Sequence, residues 1–145
     1  MNDRLSPRLA AVVDALPLWP EARVLEIGCG PGAAARAVAR RLTTGQILAT
    51  DRSATAIELA RSAGAAEIAD GRLRLRQVAA EELDLEPGEE PYHLVYAIRV
   101  GALDGRHPAV GEIALQRIAA VTTDGARLFI DGGDPLRALE IPRRP

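Results

Sequence analysis

Lysine is absent from this sequence: all 18 of its basic residues are arginine. That excludes Schiff-base chemistry on a lysine amine and a Walker-type phosphate loop, whose motif requires one. Aromatic residues are scarce too, at 3% (Trp19, Tyr92, Tyr96 and Phe129). Single-stranded nucleic acids stack on aromatic rings, and duplexes need a basic face. With few rings and a net charge of −2, the chain offers neither, so no nucleic-acid partner is expected. The single cysteine, Cys29, allows no internal disulfide and no Cys-x-x-Cys metal pair. Two histidines, His93 and His107, are too few for a protein metal site to be expected. No apolar run is long enough to span a bilayer, and the first residues lack the apolar core of a secretion signal. A cytoplasmic protein with no membrane partner is the expectation.

What is present reads as one globular domain over residues 1–145, with a hydrophobic fraction of 48% and a charged fraction of 26%. Helical and extended patterns alternate, the signature of an α/β sandwich around a mainly parallel sheet. Leu9, Val12, Val13 and Leu16 have helical spacing over 7–16, ended by Pro17 and Pro20. Residues 23–27 read as a short buried strand, followed by a Gly-rich turn and a helix over 33–42. A second strand spans 46–50, and Ser53 can cap a helix reaching Ala63. Leucine alternates with arginine over 72–78, as on a strand near the sheet edge, and 80–83 suits one helical turn. Residues 92–100 suit a fourth strand, 109–121 a helix and 126–130 a fifth strand.

The motif that carries chemistry is Val24-Leu25-Glu26-Ile27-Gly28-Cys29-Gly30-Pro31-Gly32, between a buried strand and a helix. Glycines there let the backbone turn sharply and approach a ligand without Cβ atoms in the way. Asp51 closes the second strand about twenty residues on, where a carboxylate can accept both hydroxyls of a ribose. The Gly-x-Gly-x-x-Ala spacing of Gly28, Gly30 and Ala33 also satisfies a dinucleotide fingerprint. Pro31 lacks the N–H that a pyrophosphate would use, and the chain has no room for a dehydrogenase's substrate domain.

With its glutamate two residues before the first glycine and a third glycine at the next alternate position, the motif closely resembles the first motif of class I S-adenosylmethionine-dependent methyltransferases. The resemblance covers about 24–130 and implies a Rossmann-like three-layer sandwich. It implies a five-stranded sheet in the order 3-2-1-4-5, lacking the family's usual last two strands. It implies S-adenosyl-L-methionine as cofactor, contacted by Glu26, Gly28, Cys29, Gly30, Gly32, Asp51, Arg52, Ala80, Glu81 and Ala97. Two departures stand out: Ala79 replaces the family's adenine-binding Asp, and His93 replaces an Asp that is mostly structural.

Methyl transfer onto a small-molecule acceptor is the expected function, with a non-catalytic S-adenosylmethionine-binding module or partner subunit as the alternative. Residues after the fourth strand emerge at the carboxyl end of the sheet, where ligands bind in open α/β folds. His107 is the candidate general base, and Arg99 and Arg106 are candidate ligands for an acidic substrate. The fifth strand, Ala-Arg-Leu-Phe-Ile, is a poorly defended edge. Either residues 136–141 fold back over it or two chains meet there; a homodimer through that edge is the expectation.

Overall fold

A computed structural model describes residues 5–143. Helix α1 (Pro7–Ala15) precedes β1 (Arg23–Ile27), α2 (Ala33–Arg40), β2 (Gln46–Asp51), α3 (Ala54–Ala63) and the short α4 (Ala65–Ala69). Then come β3 (Leu73–Gln77), a single 3-10 turn (Ala80–Glu82), β4 (Tyr92–Ala97), α5 (Pro108–Ala120), β5 (Thr122–Asp131) and β6 (Leu136–Leu139). The caps follow the sequence: the hydroxyls of Ser6 and Ser53 accept the N–H groups of Leu9 and Ala56.

The strands form one sheet in the order β3-β2-β1-β4-β5-β6, with the first five parallel. Parallel strands with helices on both faces bury every side chain, so they read as continuous apolar runs. Strand β1 shows this: Val24 and Leu25 are both buried, on opposite faces. Val24, Ile47, Ala49 and Leu94 pack with Val13 of α1, Ala35 and Val38 of α2 and Ile57 of α3. Leu25, Leu48, Val95 and Leu128 pack with Ala114 and Ile118 of α5 and with Leu83. The alanines of α2 and the aliphatic strands fill a core in which aromatic rings are few.

The sheet has six strands, not five. Residues 132–135 turn the chain back, and β6 pairs antiparallel with β5 in the register Phe129↔Ala138 and Ile130↔Arg137. Gly132 has φ +105°, and a Cβ on Gly133 would stand 2.1 Å from the Leu136 carbonyl oxygen, so this reversal depends on glycine. The tail thus covers the edge that was expected to mediate a dimer. Ile141 is buried against the α5 face, and Leu136 and Leu139 are half-buried. Sheet extension through β5 finds that edge already paired.

Smaller differences have local causes. Strand β4 ends at Ala97 rather than Val100, because Arg99 takes a left-handed backbone (φ +59°) that no strand continues through. Strand β5 begins at Thr122, and its pairing with β4 slips between Tyr92 and Leu94 before regaining register. Helix α2 stops at Arg40, and α4 follows α3 directly after Gly64.

Candidate cofactor cleft

The loop between β1 and α2 is drawn tight by its own backbone. The Cys29 N–H donates to the Thr50 carbonyl oxygen at 2.8 Å and the Gly32 N–H to that of Cys29 at 3.0 Å. Gly28, Gly30 and Gly32 all have positive φ (72°, 55° and 89°). A side chain at Gly28 would also collide with Val100 at 2.6 Å. This glycine is therefore needed twice, for its dihedral and for the close approach of the loop after β4.

Asp51 ties this loop to the end of β2. Its Oδ2 accepts the Gly30 N–H and its Oδ1 the Ser53 N–H, each at 2.9 Å. Each oxygen keeps a further lone pair for another donor. Beneath the loop, Glu26 is 3% exposed and its Oε1 accepts the Tyr96 hydroxyl at 3.0 Å. Burial, offset in part by that hydrogen bond and reinforced by the Asp51 charge, pushes the Glu26 carboxyl up to about 8. Cys29 is 8% exposed, and its thiol is pushed up to about 12 by burial and by the Glu26 and Asp51 charges. It is a protonated, unreactive thiol at neutral pH.

A cleft of about 600 Å³ opens at the carboxyl ends of β1, β2 and β4. One side is formed by Gly28, Asp51, Arg52, Ala80 and Glu81; the other by Arg99, Arg106 and His107. The structure thus brings eight of the sequence-derived site residues to one cleft. Glu26, Cys29, Gly30, Gly32 and Ala97 do not line the cleft. Ala97 is buried at the end of β4, Glu26 lies beneath the loop, and Cys29, Gly30 and Gly32 belong to the loop itself. Ile27, Val78, Ala79, Val100, Gly101, Ala102 and Val110 complete the lining. Apart from Ala79, singled out above as a departure from the family, their signal in the sequence was weak, since small apolar residues after strands are common. His93 lies far from the cleft: its Nδ1 accepts the Arg23 N–H at 3.0 Å and its ring lies 5.4 Å from that of Trp19, which is a structural role.

His107 is exposed at the N-cap of α5. Arg106 is held by Asp104, which accepts its backbone N–H at 3.1 Å and its Nε–H at 2.8 Å. Arg99 is anchored by its backbone, whose N–H donates to Asp131 Oδ1 at 3.0 Å. Among the described residues, no group of three or more His, Cys, Asp or Glu could hold a metal, and no helix is long and apolar enough to cross a membrane.

A glycine-lined turn, a carboxylate at the end of β2 and an apolar slot along the strand ends define a Rossmann-like nucleotide-cofactor domain. A family model described as "Methyltransferase domain" matches residues 24–125, and the chain belongs to that family, the class I S-adenosylmethionine-dependent methyltransferases. No curated protein matches the sequence. Among solved structures it is similar to the CcbJ methyltransferase from Streptomyces caelestis, at 21% identity and TM-score 0.67, covering 90% of this chain and 54% of that one. It is also similar to the [4+2]-cyclase SpnF, at 23% identity and TM-score 0.70, covering 90% and 47%. Coclaurine N-methyltransferase bound to N-methylheliamine and SAH is a third, at 17% identity and TM-score 0.67, covering 84% and 34%. The chain therefore spans between about a third and a half of the length of these proteins.

The cofactor of the family, S-adenosylmethionine, fits the residues present. It carries no phosphate, so Pro31 withholds no donor that it needs. Asp51 suits a ribose, and Val78, Ala79 and Ala80 suit the flat apolar faces of adenine.

Proposed function

We propose that this domain transfers the methyl group of S-adenosylmethionine to a small-molecule acceptor. The observation that carries the reading is the single cleft joining Gly28, Asp51 and Ala80 to Arg99, Arg106 and His107. Asp51 accepts the ribose hydroxyls, Gly28 lets the ligand lie against the backbone, and Arg52, Ala80 and Glu81 border the adenine. Gly30, Gly32, Cys29, Glu26 and Ala97 act one step back, by holding the loop and the strand end in place. The cofactor supplies an electrophilic methyl group on a sulfonium. The residues after β4 orient the acceptor in line with it, and positioning accounts for much of the rate gain. Where the acceptor carries a proton, His107 takes it.

The small-molecule class is supported by the modest cleft and by the methyltransferase in the comparison that is bound to N-methylheliamine. A second reading, cofactor binding without catalysis, is favoured by Ala79, which lacks the carboxylate that the family uses on the adenine amino group. Release of S-adenosylhomocysteine in a screen of small acceptors and of protein acceptors separates the two. Turnover with a small acceptor, reduced in His107→Ala, is the expected result. Tight cofactor binding without turnover on any acceptor favours the second reading.

A further inference from the structure

Nine of the 18 arginines of this chain reach a carboxylate among the described residues: Arg8, Arg23, Arg36, Arg40, Arg41, Arg72, Arg74, Arg76 and Arg106. Among the described residues, Arg99 and Arg137 are two of six arginines, with Arg52, Arg61, Arg117 and Arg127, whose guanidinium groups make no hydrogen bond and no ion pair. Both line a second cleft, of about 580 Å³, with Asp104, Arg106, Asp131 and Gly132. Arg99 and Arg106 also line the cofactor cleft, so the two spaces adjoin.

The acidic residues of this second cleft are already engaged. Asp131 accepts the Arg99 backbone N–H through Oδ1 and the Arg8 guanidinium through Oδ2, at 3.0 and 2.9 Å. Asp104 is taken by Arg106. Arg137 is brought in by β6, opposite Ile130, and its Nε lies 3.6 Å from where a Gly132 Cβ would stand. Arg99 is the one non-glycine residue with positive φ among the described residues, a conformation that costs about 1 kcal/mol or more and persists where the surroundings enforce it. Two uncommitted cationic forks thus line one cleft, one of them on a strained backbone pinned by a carboxylate. A planar fork of N–H donors matches an oxyanion.

We infer that the methyl acceptor of this domain carries an oxyanion, a carboxylate or a phosphate, and that Arg99 and Arg137 bind it in the cleft beside the cofactor. The inference rests on the methyl-transfer reading above and specifies its substrate class. Arg106, tied to Asp104, borders this subsite without being its principal ligand.

The test is an NMR titration of the protein loaded with S-adenosylhomocysteine, using benzoate, inorganic phosphate and neutral benzamide as probes. Saturable shifts of the Arg99, Gly132 and Arg137 amides with benzoate or phosphate, but not with benzamide, are expected; which anion acts identifies the group. The affinity should fall at least tenfold in Arg137→Gln and in Arg99→Gly. Arg99→Gly should also raise the thermal midpoint, because glycine relieves the left-handed strain, so lost binding there is not lost folding. Absent shifts, equal shifts with benzamide, or shifts unchanged in both variants overturn the inference. Calorimetry of S-adenosylhomocysteine alone reports separately on the underlying reading. Cofactor binding without an anion response sinks only the anion subsite.

Discussion

At the residue scale, Glu26 and Asp51 show how two carboxylates of one motif take opposite roles. Asp51 stands on the cleft wall with each oxygen holding a backbone N–H, whereas Glu26 turns inward to Tyr96. Because burial raises the Glu26 carboxyl from 4.5 to about 8, the folded state binds its proton more tightly than the unfolded state does. The resulting stability is fully present below about pH 4.5 and is lost as pH rises toward 8, by at most about 1.4 kcal/mol per pH unit. Glu26→Gln should therefore flatten the stability profile, with its largest gain over the parent at pH 8; urea unfolding at pH 5, 6.5 and 8 measures it. An unaltered slope would mean that Glu26 does not titrate in this window. Asp51→Ala should weaken S-adenosylhomocysteine binding by about 2–3 kcal/mol, the scale of hydrogen bonds to a charged acceptor. Asp51→Asn should recover only part of that, since it keeps one acceptor and cannot hold both N–H groups and a ribose. Calorimetry on both variants decides, and unchanged affinity in the alanine variant would place the ribose elsewhere.

At the scale of elements, the cofactor half was legible and the far edge was not. Strands β1, β2 and β4 are apolar runs bounded by turn residues, and the Gly28–Gly32 motif falls between a strand and a helix as its spacing requires. Strand β6, Leu-Arg-Ala-Leu, carries no β-branched residue and is only four residues long. Its strand character comes from pairing with β5, a tertiary effect that local pattern does not carry. Arg137 was missed for the same reason, since its place beside Arg99 exists only once β6 has paired. Nothing in Ile98-Arg99-Val100-Gly101 marks the arginine, rather than the glycine, as the left-handed residue; Asp131, thirty-two residues away, enforces it. A chain ending at Asp134 would lose β6 and the buried Ile141, which alone contributes about 2 kcal/mol. Its thermal midpoint should fall, and light scattering should show association through the uncovered β5 edge. A monomer of undiminished stability would show that β6 contributes little.

For the molecule as a whole, the chain builds a cofactor cleft on the five parallel strands of one sheet, and its tail adds a sixth, antiparallel strand and cations beside that cleft. The net charge of −2 hides this arrangement, because Arg52, Arg99 and Arg137 gather at the carboxyl ends of the strands while the acids nearby are largely engaged. The departure at Ala79 has a direct consequence. Ala79 lies on the cleft wall as the N-cap of the 3-10 turn, so Ala79→Asp adds a carboxylate where the adenine amino group is expected. Cofactor affinity should rise in that variant. The measurement that bears most directly on the whole account is a pair of calorimetric titrations of the unmodified chain, with S-adenosylhomocysteine and with the oxidised nicotinamide dinucleotide. Binding of the first at about −7 to −8 kcal/mol, in the micromolar range, with no heat from the second, is the predicted result. Heat from the dinucleotide and none from S-adenosylhomocysteine would contradict it.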